Sequence, residues 1–152
     1  MTSRMHRWHG FDYAKDFASI DTFVAGQAVW PLGSYGSGWA PRPLAPEEPG
    51  LHFMLNMNTP ADRQVEWRLR MKPAYLRGFP VMLRSVSEHL RDHPEPGMRL
   101  EGVMSYAGMV TPDTREVIRQ GLGREPADCY SSVECGYIAL QCPECLSLLV
   151  QS

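Results

Sequence analysis

The segment Tyr130-Ser131-Ser132-Val133-Glu134-Cys135-Gly136 decides how this chain is interpreted. It has the pattern of a strand that runs into a polar turn and ends in one carboxylate. Such a turn can present an aromatic ring, two hydroxyl groups and a carboxylate oxygen to a single ligand. The turn is therefore a candidate site for one ligand together with a metal ion.

Strands and helices alternate in the sequence before this segment. Strands are predicted over residues 51–55, 100–106 and 127–131, and helices over residues 60–71, from 80 onward, and over 112–122. Thr59 and Thr111 are good N-caps, and Gly123 is a typical helix stop. The alternation predicts an α/β fold with a largely parallel sheet and flanking helices. Residues 137–141 and 146–151 predict a C-terminal β-hairpin.

Residues 1–50 differ from the rest of the chain because Gly and Pro interrupt them often. We predict a loop-rich N-terminal segment over 1–50, with a short helix over 17–29, and an α/β portion over 51–152. The Gly/Ser run 33–38 lacks the Lys-Ser/Thr ending of a P-loop, so it is interpreted as a surface connection. The length favours one domain for both segments.

Two turns are predicted to lie at the same edge of the sheet. One covers residues 106–111 and the other covers residues 130–134, and each follows a predicted strand. In open α/β sheets, ligands bind at the carboxyl ends of the strands. A binding site is therefore expected where these two turns meet.

The composition limits the class of protein. Apolar residues make up 43% of the 152 residues, charged residues 21%, and the formal net charge is −2. This is typical of a globular domain and gives no charge bias toward nucleic acid. No apolar stretch approaches the roughly 20 residues of a membrane helix, and no apolar leader is visible, so we expect a cytoplasmic protein without a membrane partner.

All four cysteines lie in the last quarter of the sequence. In a reducing compartment this clustering favours reduced thiols or a metal over disulfides. Cys142 and Cys145 have the spacing of half a zinc knuckle, and Cys135 is the nearest third ligand. Because a fourth ligand is missing, reduced thiols are favoured over a Zn²⁺ site. Cys129 is expected to be a small core residue.

Three ordered stretches resemble the phenylacetate–CoA ligase-like group of the adenylate-forming enzymes. The first is residues 67–80, which end in Gly-Phe-Pro, and the second is residues 103–115. The third is residues 130–143, where Tyr-Ser-Ser-Val-Glu is similar to the family motif aromatic-Gly/Ser-x-Thr-Glu. Order and spacing agree over roughly residues 50–152. The resemblance implies a slice of the N-terminal domain of such an enzyme, taken from the middle of the adenylation domain.

Members of this family use ATP to convert a carboxylic acid to an acyl-adenylate and then pass the acyl group to CoA. The resemblance implies nucleotide-binding roles for Tyr130, Ser131, Ser132, Ala107 and Gly108. It also implies that Glu134 is the catalytic carboxylate that holds Mg²⁺, and that Phe79 and Pro80 lie near the acyl pocket. Without the family, Tyr130 is equally well interpreted as a core tyrosine, and Glu134 better as a solvated carboxylate.

The chain departs from the family pattern at several positions. Ala107-Gly108 stands where the family has Gly-Glu, and Val133 stands where a threonine contacts the phosphate. The family's phosphate loop is not recognisable upstream, and its C-terminal domain with the catalytic lysine would lie beyond Ser152. We therefore expect an incomplete ligase that is inactive alone and that self-associates through an exposed sheet edge.

Two other functions stay open at this point. The chain could be a non-catalytic module that binds a nucleotide or an acyl group, or a small zinc-stabilised structural protein. Binding of Mg·ATP or AMP would separate the first two hypotheses from the third. The partners implied by the resemblance are a nucleotide, an aryl or arylacetic acid, and CoA.

Overall fold

The computed structural model describes residues 2–132, 136–145 and 148–150, and in these ranges eight strands form one sheet. The strands are β1 (Phe17–Asp21), β2 (Ser34–Ser37), β3 (Leu51–Asn56), β4 (Tyr75–Gly78), β5 (Gly102–Tyr106), β6 (Pro126–Ser132), β7 (Gly136–Gln141) and β8 (Leu148–Val150). The helices are α1 (Thr2–Trp8), α2 (Ala61–Met71), α3 (Pro80–Asp92) and α4 (Pro112–Leu122), with a 3₁₀ turn at Arg42–Leu44. The order across the sheet is β2-β3-β1-β4-β5-β6-β7-β8.

The centre of the sheet is parallel and its two sides are antiparallel. Strands β3, β1, β4, β5 and β6 pair in parallel. Strand β2 pairs antiparallel with β3, and β7 with both β6 and β8. The predictions of an α/β fold with a largely parallel sheet and of a C-terminal hairpin are therefore confirmed.

One face of the sheet is covered by α2, α3 and α4. Their apolar sides pack on buried strand residues such as Ile20, Leu76 and Val103. The ends of α4 follow the sequence signals, because the hydroxyl of Thr111 accepts a hydrogen bond from the amide of Thr114 at 3.2 Å. Gly123 then ends the helix with φ 69°, a left-handed conformation that glycine adopts without steric cost.

The opposite face is covered by the N-terminal segment. Phe17 and Tyr75 form an aromatic cluster there with Phe11 and Trp39, and the rings of Phe17 and Trp39 stack at 4.7 Å. Cys129 is fully buried in the same core, as predicted. Part of the segment predicted as loop-rich thus contributes both a central strand and several aromatic residues of the second core cluster.

Three predictions about local structure are wrong. Residues 17–21 form β1 instead of a helix, because their apolar run is buried between β3 and β4, and a fully buried parallel strand has no alternating pattern. The run 33–38 contains edge strand β2 instead of a connection. The residue before α2 is Pro60, and Thr59 makes no side-chain cap.

No helix in the described part of the chain has the length and apolar character needed to span a bilayer.

Candidate functional site at the carboxyl edge

The strand order reverses next to β1, at the centre of the parallel sheet. After β1 the chain moves outward to β2 and β3, whereas after β4 it moves through α3 to β5 on the other side. Adjacent strands whose chains leave in opposite directions create a crevice at their carboxyl ends, where ligands of open α/β sheets bind. Here these adjacent strands are β1 and β4, which end at Asp21 and Gly78.

A guanidinium group lies at this point of the sheet. Arg77 donates to the carboxylate of Asp21 at 3.0 Å, and both side chains are about a quarter exposed, at 24% each. The guanidinium carbon also lies 4.8 Å from the ring centroid of Tyr106, at the end of the next strand. These two contacts hold a cationic side chain between the ends of β1, β4 and β5.

The predicted acyl-side and nucleotide-side residues are brought together here. The rings of Phe79 and Tyr106 lie 4.8 Å apart at an interplanar angle of 31°. A methyl group at Gly108 would lie 3.0 Å from Cδ of Pro80, so the backbone of Gly108 lies close to the ring of Pro80. The loop after β5 therefore packs directly on the start of α3.

Ala107 has an unusual backbone conformation in this loop. Its φ is 53°, in the left-handed region that favours glycine over residues with a Cβ atom. The resembled family has glycine at this position. A glycine would adopt this conformation without the steric cost that Ala107 bears.

Tyr130 lies on β6, the next strand in the sheet. Its side chain is 54% exposed, so the alternative of a core tyrosine is wrong. Because the preceding Cys129 faces the N-terminal segment, Tyr130 lies on the face that carries the helices. A register shift follows between Tyr130 and Ser131, and the strand continues to Ser132 instead of turning earlier. Ser131 is half-buried.

Below Tyr130, a buried hydrogen-bond network joins β5, β6 and β7. The hydroxyl of Ser105 donates to the carboxylate of Asp128 at 2.7 Å, and the amide of Asp128 donates to the side-chain oxygen of Gln141 at 2.8 Å. Burial raises the pKa of Asp128. Because its carboxylate accepts from the hydroxyl of Ser105 and from the amide of Cys129, we interpret Asp128 as a structural residue that fixes the position of β6.

The structure describes only two of the four residues that were predicted as metal ligands. Glu134 and Cys135 lie outside the described residues. Cys142 and Cys145 follow β7, at the amino edge of the parallel strands, whereas Tyr106 and Ser132 lie at the carboxyl edge. Within residues 2–132, 136–145 and 148–150, no group of three His, Cys, Asp or Glu side chains could hold a metal ion.

Two residues at the carboxyl edge, Asp21 and Arg77, were not recognised from the sequence. Asp21 was missed because residues 17–29 were interpreted as a helix. Arg77 was missed because its partners come from strands that are distant in sequence.

No protein-family model matches the sequence, and no curated protein matches it. Solved structures do match the fold. A 2-hydroxyisobutyryl-CoA ligase in an open conformation, in complex with 2-HIB-AMP and CoA, superposes with a TM-score of 0.70 and 18% identity, over 97% of this chain and 32% of that chain.

Two further ligases have the same fold. A malonyl-CoA ligase with methylmalonyl-CoA and AMP bound has a TM-score of 0.59 and 14% identity, over 91% of this chain and 28% of that chain. A long-chain-fatty-acid–CoA ligase from Archaeoglobus fulgidus has a TM-score of 0.58 and 11% identity, over 95% of this chain and 29% of that chain. The chain spans about a third of the length of these structures. It thus has the fold of one segment of the acyl-CoA ligases of the adenylate-forming superfamily.

Proposed function

We propose that this chain is the nucleotide- and acyl-binding segment of an acyl-adenylate-forming acid–CoA ligase of the phenylacetate–CoA ligase type. The observation that carries the proposal is the contact between the Phe79-Pro80 segment and the Ala107-Gly108 turn that follows β5, at the carboxyl edge of the sheet. The two segments were assigned to the acyl and nucleotide sides from separate sequence motifs. A single site that binds both the nucleotide and the acyl group requires this contact.

The side chains at this edge suit a nucleotide. Tyr130 offers an exposed ring on which adenine can stack, a contact worth about 1–3 kcal/mol. Arg77, which pairs with Asp21 through one nitrogen, places a guanidinium group at this edge whose other nitrogens could donate to a phosphate or carboxylate. Ser131 and Ser132 follow Tyr130 in the same strand, where the family places phosphate contacts.

The proposal assigns Mg²⁺ to Glu134. The described carboxylate nearest the crevice, Asp21, is already paired with Arg77, and Asp128 is held by internal donors. A bound magnesium ion would neutralise charge on the triphosphate. The chain's own contribution would be to hold the adenine at Tyr130 and the acyl group near Phe79.

The proposed acid is an aryl or arylacetic acid, and CoA is the proposed acceptor. Both come from the family resemblance. The structural neighbours contain acyl-AMP, AMP, CoA or a CoA thioester according to their descriptions, which supports a nucleotide and CoA as partners.

Calorimetric titration of the chain with AMP and with Mg·ATP tests this proposal. We expect Tyr130→Ala to weaken AMP binding by about fivefold or more, since it removes the stacking surface. Tyr35→Ala is the matched control, because Tyr35 is also exposed but lies on edge strand β2. Equal affinities for the wild type and Tyr130→Ala would contradict the assignment of the adenine to Tyr130.

Carboxylate-dependent pyrophosphate exchange tests catalysis separately. We expect no exchange from this chain alone, because the groups that would stabilise the transition state through the phosphate loop and the catalytic lysine are not recognisable in it. Robust exchange that disappears in Glu134→Gln would show that the segment is catalytically sufficient.

A further inference from the structure

A second cleft lies at the opposite edge of the sheet. It has a volume of about 560 Å³ and is formed by the segments that precede β1, β4, β5 and β6, namely residues 14–16, 72–74, 99–101 and Arg124. This volume is within the range of small-molecule sites. Because it lies at the amino ends of the parallel strands, the cleft is separate from the carboxyl-edge site.

The charges around this amino-edge cleft are mostly positive. The cations lining it are Lys15, Lys72, Arg99 and Arg124. The acids are Glu101, which pairs with Lys15 at 2.6 Å, and Asp16, which accepts from the amide of Leu51 at 2.7 Å. In the described structure, the exposed side chains of Lys72 and Arg99 have no acidic partner. The cleft is therefore basic although the chain as a whole carries a net charge of −2.

A buried arginine adds to this positive charge from behind the cleft. Arg68 is only 2% exposed, and its guanidinium donates to the carbonyl oxygens of Pro73 at 3.0 Å and of Arg99. Both carbonyls belong to residues that line the cleft. No carboxylate pairs with Arg68 among the described residues, and its Nε has no hydrogen-bond partner there.

The charge of Arg68 is not neutralised by deprotonation. Burial lowers its pKa to about 10, which leaves the guanidinium protonated at neutral pH. Backbone dipoles stabilise the group but do not cancel its charge. In an interior of low dielectric constant, this charge extends its potential into the cleft more strongly than a solvated surface charge would.

We propose that the amino-edge cleft binds a small ligand that carries two or more phosphate groups. Five cationic side chains and two acids surround it among the described residues, so an anion with several charges matches it better than a monovalent one. Lys72 and Arg99 would contact the phosphate oxygens from the exposed rim, and Arg124 and Lys15 would complete the wall.

Titration of the whole chain with inorganic pyrophosphate tests this site. We expect Lys72→Glu/Arg99→Glu to weaken pyrophosphate binding about tenfold or more, because two attractive charges become repulsive. Arg91→Glu is the matched control, since Arg91 is exposed on α3 and does not line the cleft. Affinity should also fall when ionic strength rises from about 0.05 M to 0.2 M.

Tyr130→Ala separates this proposal from the proposed function. It should leave pyrophosphate binding unchanged, because Tyr130 lies at the other edge of the sheet. A parallel titration with ADP distinguishes a free phosphate compound from a nucleotide: tighter binding of ADP than of pyrophosphate in Tyr130→Ala would identify a nucleoside as part of the ligand.

Two results would overturn the proposal. One is pyrophosphate binding of equal strength in the wild type and in the double variant, and the other is no binding to the wild type at low salt. A thermal melt confirms that each variant is folded. If the double variant does not fold, Arg124→Gln replaces it, and unchanged affinity in that variant has the same meaning.

Discussion

His6 and His52 lie on the face of the sheet that the N-terminal segment covers. His6 lies 3.0 Å from the hydroxyl of Tyr13, and His52 lies 2.8 Å from the hydroxyl of Ser19. Burial, together with the charge of Arg77, lowers the pKa of each imidazole to about 4. Both residues are therefore neutral in the folded protein at pH values where they are charged in the unfolded chain.

The free energy of unfolding should consequently fall as the pH is lowered. Between the unfolded pKa of about 6.5 and the folded pKa of about 4, the unfolded chain binds more protons, so acid favours unfolding. Asp128 opposes this trend in part, because its raised pKa favours the folded state on protonation. From pH 7 to pH 5 we expect a loss of up to about 2 kcal/mol for each histidine, measured by urea denaturation.

His52→Gln supplies the control for this expectation. Glutamine can keep a hydrogen bond to Ser19 but does not titrate, so the difference in stability between pH 7 and pH 5 should shrink. If the stability of the wild type were constant over this range, both histidines would have the same charge in the folded and unfolded chain.

Ala107 holds a strained conformation in the loop of the carboxyl-edge site. With φ at 53°, replacement by glycine relieves a steric cost, part of which is offset by the greater freedom of glycine in the unfolded chain. We expect Ala107→Gly to raise the free energy of unfolding by up to about 1 kcal/mol, and Ala107→Val to lower it by about 1 kcal/mol or more. Thermal melts of the two variants measure the contrast, and the reverse order would contradict a left-handed residue 107.

The contact between α3 and α4 depends on one small residue. At Gly121 a Cβ atom would lie inside van der Waals distance of the backbone of Ser87, which is fully buried in α3. We expect Gly121→Ala to cost about 2 kcal/mol or more despite the better helix propensity of alanine, because backbone atoms cannot move aside cheaply. Gln120→Ala, on the exposed side of α4, should change stability by less than about 0.5 kcal/mol. Denaturant midpoints of both variants test this, and a neutral Gly121→Ala would contradict the close packing.

The elements that could be predicted from the sequence are those whose ends carry local signals. α4 has both a Thr N-cap and a Gly stop, and α3 begins at Pro80, so both helices were predicted correctly at the ends marked by these signals. The strand β1 has no such signal. Its neighbours β3 and β4 come from later in the sequence, and only this long-range pairing makes residues 17–21 a strand.

The candidate site could likewise be predicted only where it depends on local sequence signals. The rule that ligands bind at strand ends placed the turns 106–111 and 130–134 at one edge, and the structure has residues 106–111 and 130–132 there. The ion pair of Asp21 with Arg77 joins strands that are 56 residues apart, so no local pattern could show it. The hypothesis of a zinc site at Cys135, Cys142 and Cys145 stays a prediction, because Cys135 lies outside the described residues.

At the scale of the whole molecule, one side of the sheet ends in an open strand. Among the described strands, β2 pairs with β3 alone, and a groove of about 530 Å³ lies beside it, lined mainly by Leu32, Tyr35, Leu51, Phe53 and Met71. Leu32 and Tyr35 are 72% and 75% exposed. Exposed strand edges next to apolar side chains favour pairing with another chain.

We therefore expect the chain to self-associate as its concentration rises. Leu32→Lys/Tyr35→Lys should reduce this association, because charges on an edge strand oppose pairing. Light scattering coupled to size-exclusion chromatography measures both proteins, and Val81→Lys on α3, where Val81 is 80% exposed, is the control. A monodisperse wild-type monomer over the whole concentration range would contradict the expectation.

The central claim is that the carboxyl edge of the sheet binds a nucleotide. Amide chemical-shift mapping of the ¹⁵N-labelled chain during an AMP titration tests it most directly, because it reports where the ligand lies as well as whether it binds. We expect the shifts to concentrate in residues 77–80, 106–108 and 130–132. Shifts confined to residues 14–16, 72–74 and 99–101 at the amino-edge cleft, or no shifts at millimolar AMP, would contradict the claim.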